Sequence, residues 1–393
     1  MVQKFDVQDD VIKKAFSWWK IWLAISIGLA IATWMIYKSL NQQQMIPVEN
    51  GKGDYVWMGN NSSNAPNLSA ISDFKKQAGS NYKIETLSDT LASINWTASS
   101  FLWLLAAIFF MIGRDFFYIV RIRLLAKGGL TWKNGLNVIM LWEFASALAP
   151  GVMSGASVAM FILHREKIPL GRSTAMVIVT AFMDNLFYLL FIPIIFIFIT
   201  QDFLFPANFS GATSVKWVFW IGYSSKIVLC FFLFSCLFLF PTLATKVLTG
   251  IFRLPFLKKW REKGIKTGQE IEIASYEFKS EPFRFWLWTF LATIGSWLCR
   301  YLVINCILNA FFNLNLLDNL QILGKQFILW LLMMVSPTPG GSGVAEYAFG
   351  ELMSSFSTSV ILIAELAILW RLISYFPYLF IGAIILPRWL KNK

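Results

Sequence analysis

Six apolar runs, each about one bilayer long, set the terms for how this chain can fold, and two further apolar runs are interrupted by Pro-Gly. A helix needs about 20 apolar residues to cross a hydrocarbon layer of ~30 Å, so runs of this length read as membrane spans, not as core helices of a water-soluble domain. Composition agrees: 57% of the 393 residues are hydrophobic and 14% are charged. A soluble domain runs at roughly 45–50% apolar and roughly 25% charged. Disorder, fibres and a disulfide scaffold are excluded by the same figures and by only four cysteines, all inside apolar runs. With a single histidine, His164, there is almost nothing from which to build a histidine metal site or a serine-type triad.

Charge placement sets the expected topology, because loops rich in Lys and Arg stay cytoplasmic. The run Ile21–Tyr37 follows Lys13, Lys14 and Lys20 without a small-residue cleavage site, so residues 1–40 read as a cytoplasmic N-terminus and a retained first helix. Residues 41–95 carry balanced charge and read as an extracytoplasmic loop; their N-x-S/T triplets (Asn60, Asn61, Asn67, Asn95) matter only in a eukaryotic secretory host. The run Trp96–Val120 leads inward to Arg121, Arg123, Lys127 and Lys133. Residues 136–163 have basic flanks at both ends and are predicted to enter and return. Ser173–Thr200 crosses outward, Val215–Phe240 returns, and 241–284 is the most basic cytoplasmic loop. Within it, Arg253–Lys266 reads either as an interfacial amphipathic helix or as a plain topology determinant. Phe285–Phe312 crosses out, residues 319–355 form a second broken passage, and Ser359–Leu386 ends inside at Arg388, Lys391 and Lys393.

The predicted fold is therefore an all-α integral membrane protein. It has about six full transmembrane helices and two re-entrant broken-helix hairpins in an inverted-repeat-like arrangement, with residues 96–393 as the transmembrane domain and both termini cytoplasmic. The two breaks share a pattern: Pro150-Gly151, a gap, Ser154-Gly155; and Pro339-Gly340-Gly341-Ser342-Gly343. Proline removes a backbone donor and glycine permits the sharp turn, so each break frees amides that lipid would not tolerate. Pro-kinked spanning helices are the simpler alternative. As hairpin tips, the breaks would sit inside protein and offer half-helix N-termini to an anionic group such as phosphate.

The run Ser336-Pro337-Thr338-Pro339-Gly340-Gly341-Ser342-Gly343-Val344-Ala345-Glu346 resembles the signature of the lysylphosphatidylglycerol synthase transmembrane family. These flippase-like proteins include the membrane half of the bacterial multiple peptide resistance factor. The similarity extends from about Ser100 to Leu386. It implies a multi-pass protein of the bacterial or archaeal cytoplasmic membrane that moves or binds phospholipids or lipid-linked polar groups. Two departures matter. No aminoacyltransferase domain follows Leu386, so lipid synthesis is not implied, and Ala156 stands where relatives often carry Glu in a Gly-Glu pair, so no acidic role transfers there.

Ionisable groups at membrane depth cost about 2.5–3.5 kcal/mol on the insertion scale, which makes each a site candidate or half of an ion pair. Glu346 reads either as a helix-capping carboxylate or as a contact for a headgroup amine or proton. Arg300 and Arg371 read either as phosphate contacts or as intramembrane salt bridges, Arg371 with Glu346 or Glu351. Asp184, beside Asn185, either faces a cavity or belongs to a satisfied polar pair, and Arg114-Asp115 reads as structural. The predicted substrate-binding set is Pro150, Gly151, Ser154, Gly155, Asp184, Arg300, Pro339, Gly340, Gly341, Ser342, Gly343, Glu346 and Arg371. Neither catalytic residues, a metal nor a cofactor is expected, and the expected partners are membrane lipids, not nucleic acid. Three functions compete: a transporter for an anionic or aminoacylated lipid, an intramembrane transferase or hydrolase with Glu346 as base, and a scaffold or sensor using residues 41–95.

Overall fold

The computed structural model describes residues 26, 30, 33, 34, 37, 44–48, 52–59, 66, 68, 70–148, 152–205, 212–251, 261–357 and 359–391. Most of the predicted first span, Pro150-Gly151, the side chain of Ser154, Asn60, Asn61, Asn67 and most of the Arg253–Lys266 stretch lie outside them.

The segment read as an extracytoplasmic loop folds into a small antiparallel sheet, so the chain is not helical throughout. Strands β1 (Gln44–Pro47), β2 (Gly53–Trp57), β3 (Phe74–Ser80) and β4 (Tyr82–Glu85) lie in the order β1-β4-β2-β3. These short strands lack a clean alternation of apolar and polar residues, which hid them in the sequence. Helix α1 (Leu87–Ser93) follows, fixed by a capping box between Thr86 and Asp89. The side chain of Gln44 accepts from the Val360 N–H at 3.2 Å, tying the sheet to the start of a late helix.

The remainder is helical: α2 (Ala98–Leu125), α3 (Trp132–Leu148), α4 (Val152–Arg165), α5 (Leu170–Phe198), α6 (Ala212–Phe234), α7 (Thr242–Ile251), α8 (Arg261–Lys279), α9 (Phe283–Phe311), α10 (Leu316–Met334), α11 (Val344–Met353), α12 (Val360–Ser374) and α13 (Phe376–Lys391). Five helical stretches among the described residues are long and apolar enough to cross a membrane: Ala98–Leu125, Leu170–Phe198, Val215–Leu239, Phe283–Phe311 and Val360–Lys391. They coincide with the last five of the six predicted spans.

Helix starts follow local chemistry. Thr97 with Ser100 and Asn315 with Asp318 form capping boxes at α2 and α10, while Pro169 and Pro282 precede α5 and α9. Pro193 inside α5 cannot donate to the carbonyl of Leu189; the Tyr223 hydroxyl of α6 does so instead, at 3.3 Å. Helices α2 and α9 form the most extensive pair, with Gly113 of α2 facing the Cys299 sulfur. Small residues at such crossings let backbones approach where no hydrophobic drive distinguishes helix from lipid. The two broken runs become two helix pairs in contact: α3 against α4, with Gly155 on Ser146, and α10 against α11.

Candidate functional site

The second break is a compact, internally bonded turn. Gly341 N–H donates to the Thr338 carbonyl and Ser342 N–H to that of Pro339, each at 3.1 Å, and the Thr338 hydroxyl donates to the Ser342 carbonyl at 2.7 Å. Gly340 and Gly343 have φ of 58° and 89°, a region that side chains rarely occupy. At the start of α11, Glu346 Oε2 accepts from the Gly343 N–H at 2.6 Å, and the Ala345 N–H reaches the Gly341 carbonyl at 2.9 Å. Two of the amides expected to stand open at this helix start are therefore taken, one by a carboxylate of the same turn and one by the turn's own carbonyl.

Arg371 of α12 holds that turn. Its Nε lies 2.9 Å from Glu346 Oε1, and one terminal nitrogen donates to the Gly340 carbonyl at 3.0 Å and to the Ser342 hydroxyl at 3.1 Å. The guanidinium carbon sits 3.9 Å from the centroid of the Tyr375 ring. Of the two sequence readings for Arg371 and Glu346, the ion pair and the cap are what the fold displays, and Glu346, not Glu351, is the partner. Tyr375 then reaches the end of α3, the helix that leads into the first broken run. Its ring lies against Gly340, and its hydroxyl donates to the Ala147 carbonyl at 3.2 Å. Ala147 is in the last turn of α3, where carbonyls lack intrahelical partners, three residues before Pro150.

One turn back along α3, on the same face as Ala147, Glu143 opens a second polar cluster. It forms an ion pair with Arg114 at 2.5 Å and lies 3.6 Å from Arg300. Asp115, adjacent to Arg114, accepts from the Tyr378 hydroxyl at 2.7 Å, and Tyr378 is three residues beyond Tyr375. Arg300 contacts the Tyr118 hydroxyl at 3.4 Å and stacks over Trp330 and Trp297 at 4.6 and 5.3 Å. Asp184, midway along α5, accepts from Arg121 at 2.6 Å and from the Trp297 indole at 2.9 Å. Beside it, Lys226 of α6 reaches Asn185 at 3.4 Å and stands 4.4 Å over the Tyr188 ring.

These contacts join α2, α3, α5, α6, α9, α11, α12 and α13 into one polar seam through an apolar bundle. Arg114, Arg121, Arg300 and Arg371 face Asp115, Glu143, Asp184 and Glu346, a balanced set, and Lys226 adds one positive charge. Buried charges survive only when paired and hydrogen-bonded, which is why nearly every member has two partners. Arg300 is held most loosely: both its polar contacts are long, at 3.4 and 3.6 Å, and its Nε, like those of Arg114 and Arg371, is buried without a hydrogen bond. Lys325 of α10 lies outside the seam, buried, with the Ser355 hydroxyl at 2.5 Å and no carboxylate partner among the described residues.

Of the predicted site residues, Gly340, Ser342, Gly343, Glu346 and Arg371 meet at the second break, with Pro339 and Gly341 in the same turn. Asp184 and Arg300 stand apart from it in the seam, each on a continuous span, α5 and α9. Gly155 is buried against Ser146 of α3. Sequence reasoning passed over Arg121, counted as a loop cation although α2 runs to Leu125 and buries it. Tyr118, Tyr375, Tyr378 and Trp297 were missed because aromatic residues in spans usually signal packing. The spacing of Arg371, Tyr375 and Tyr378 at i, i+4, i+7 was the available signal. Among the described residues no group of three or more His, Cys, Asp or Glu is placed to hold a metal ion.

A bundle of apolar spans carrying a charged seam between two helix breaks defines a multi-pass membrane protein with a polar interior. The chain belongs to the family described as the lysylphosphatidylglycerol synthase TM region, which matches residues 80–382 and so includes both breaks and all of the seam. It is also 24% identical over 327 residues to a UPF0104 membrane protein of Archaeoglobus fulgidus, covering 74% of this chain and 90% of that relative. No solved structure matches.

Proposed function

We propose that this protein is a lipid transporter of the cytoplasmic membrane, in which the anionic headgroup of a phospholipid or lipid-linked substrate passes along the polar seam. The supporting observation is the set of four arginines and four carboxylates inside the bundle, with Tyr375 joining the turn at Gly340 to the end of α3. A bundle needing only stability would gain by replacing such pairs with apolar residues, so their presence favours a polar passenger.

In this reading α3–α4 and α10–α11 are re-entrant hairpins entering from opposite faces, both termini are cytoplasmic, and alternating access rocks the hairpins around the seam. Arg300 is the phosphate contact, because its long bonds to Glu143 and Tyr118 leave donors that a phosphate can take as a bidentate pair. Arg371, already engaged on three sides, holds the second tip in shape. Transport is favoured over chemistry: both oxygens of Glu346 are engaged, by Arg371 and by the Gly343 N–H, so neither is free to take a proton from a substrate.

Reconstitution tests this. Purified protein in liposomes should accelerate leaflet exchange of fluorescent phosphatidylglycerol, phosphatidylethanolamine or lysylphosphatidylglycerol, followed by dithionite quenching, and Arg300→Gln should slow it. No acceleration with any of the three lipids rejects the proposal.

A further inference from the structure

The turns joining α2 to α3 and α4 to α5 stand side by side and enclose a cavity of about 400 Å³, away from the seam. Its walls include Gly129, Asn134, Glu166, Lys167 and Arg172. Lys127 and Lys167, with φ of 50° and 69°, are the only non-glycine residues with left-handed backbone among the described residues. Both belong to these two turns: Lys167 lines the cavity, and Lys127 follows Ala126, which also lines it. Left-handed backbone at a side-chain-bearing residue costs about 1–3 kcal/mol and persists where the surroundings impose it, often at a functional site.

The cations here are unevenly neutralised. Arg172 lies 3.6 Å from Glu277, Lys127 pairs with Glu281, and Lys167 is exposed with no ion-pair partner among the described residues. Glu277 and Glu281, at the end of α8 and just beyond it, are four residues apart and act from outside the cavity. Inside it, Glu166 is the one carboxylate, and its Oε1 accepts from the Trp389 indole at 2.7 Å. The cavity lies at the foot of the first hairpin: Asn134 is in the first turn of α3, and Lys167 follows the end of α4.

We propose that this cavity is an anion site that takes the phosphate of a lipid headgroup from the membrane face bearing these basic turns. Lys167 and Arg172 are its charged contacts and Asn134 its neutral donor. The assignment rests on the lipid-transport reading and deepens it, naming where the headgroup is first held before it meets the hairpin that carries Glu143. Lysine supplies a mobile point charge and arginine a planar fork, the pairing that phosphate recognition uses. Glu277 then acts as a stand-in anion on Arg172 when no phosphate is bound.

The test uses full-length protein in phosphatidylcholine nanodiscs, titrated calorimetrically with dihexanoyl-phosphatidic acid, with inorganic phosphate, and with uncharged dihexanoylglycerol. The phosphatidic acid should bind saturably and the dihexanoylglycerol should not. Lys167→Gln, which removes no ion pair among the described residues, should weaken binding roughly fivefold, and with Arg172→Gln added roughly fiftyfold. Glu277→Gln should tighten it, which a merely structural role for Glu277 would not do. Unchanged affinity in Lys167→Gln and in Glu277→Gln overturns the site. Inorganic phosphate binding as tightly as phosphatidic acid overturns the headgroup assignment in favour of free phosphate. Leaflet exchange separates the two proposals: exchange that persists while binding ignores Lys167→Gln rejects this site alone, and variant-sensitive binding without exchange rejects transport alone.

Discussion

The Tyr375 hydroxyl donates to the Ala147 carbonyl at 3.2 Å, joining parts of the chain 228 residues apart, while its ring rests on Gly340. One side chain therefore touches the turn of the second break and the helix end that leads into the first. Arg371 stacks on the same ring.

Tyr375→Phe keeps the ring and loses only the hydrogen bond. A net loss of about 1 kcal/mol is expected, visible as a small drop in thermal midpoint in detergent. Gly340→Ala should be worse, by roughly 1–3 kcal/mol, because the new methyl meets the Tyr375 ring at a backbone φ of 58°. A Gly340→Ala midpoint equal to wild type would show that the ring does not pack there.

Arg371 and Glu346 form a buried pair, so removing either partner strands a charge. Arg371→Gln and Glu346→Gln should each cost roughly 3–5 kcal/mol, and the double variant should recover much of that. A thermal double-mutant cycle measures the coupling; additive losses would mean that the pair is not a unit.

Arg300→Gln should separate function from stability. Its contacts are long, so the thermal midpoint should move little, while lipid exchange falls by about tenfold, the equivalent of ~1.4 kcal/mol. Equal losses in stability and exchange would instead place Arg300 among the structural cations.

Lys325→Met should leave the fold neutral or more stable, since it exchanges a buried ammonium for an apolar chain of similar length. A marked fall in thermal midpoint would point to an ionic partner beyond Ser355.

In the small sheet domain, Asp89 is held below its ordinary 3.8 by its bonds to Lys83 and Thr86. A carboxyl lowered on folding contributes stability above its unfolded value, lost as pH falls through the folded value. Protease resistance of residues 70–95 should therefore decline below about pH 3.8 in the wild-type chain, and Asp89→Asn should remove that part of the pH dependence.

The sequence by itself determined the medium and the punctuation. Run length and hydropathy placed five spans that the fold contains, because transfer of apolar side chains to lipid is additive along a helix and needs no partner. The break at Pro339–Glu346 was equally legible, since proline and glycine act on their own backbone, while Pro150-Gly151 lies outside the described residues. Tertiary structure alone decided which charges pair. Arg114 took Glu143 of another helix at closer range than its neighbour Asp115, Arg121 left the loop it was assigned to for Asp184, and Arg371 took Glu346 over Glu351. Such choices depend on which helix faces meet across tens or hundreds of residues, and a one-dimensional pattern carries no register between helices. The sheet at 44–85 was hidden for a related reason: strands of four to seven residues gain their stability from neighbours, not from their own periodicity.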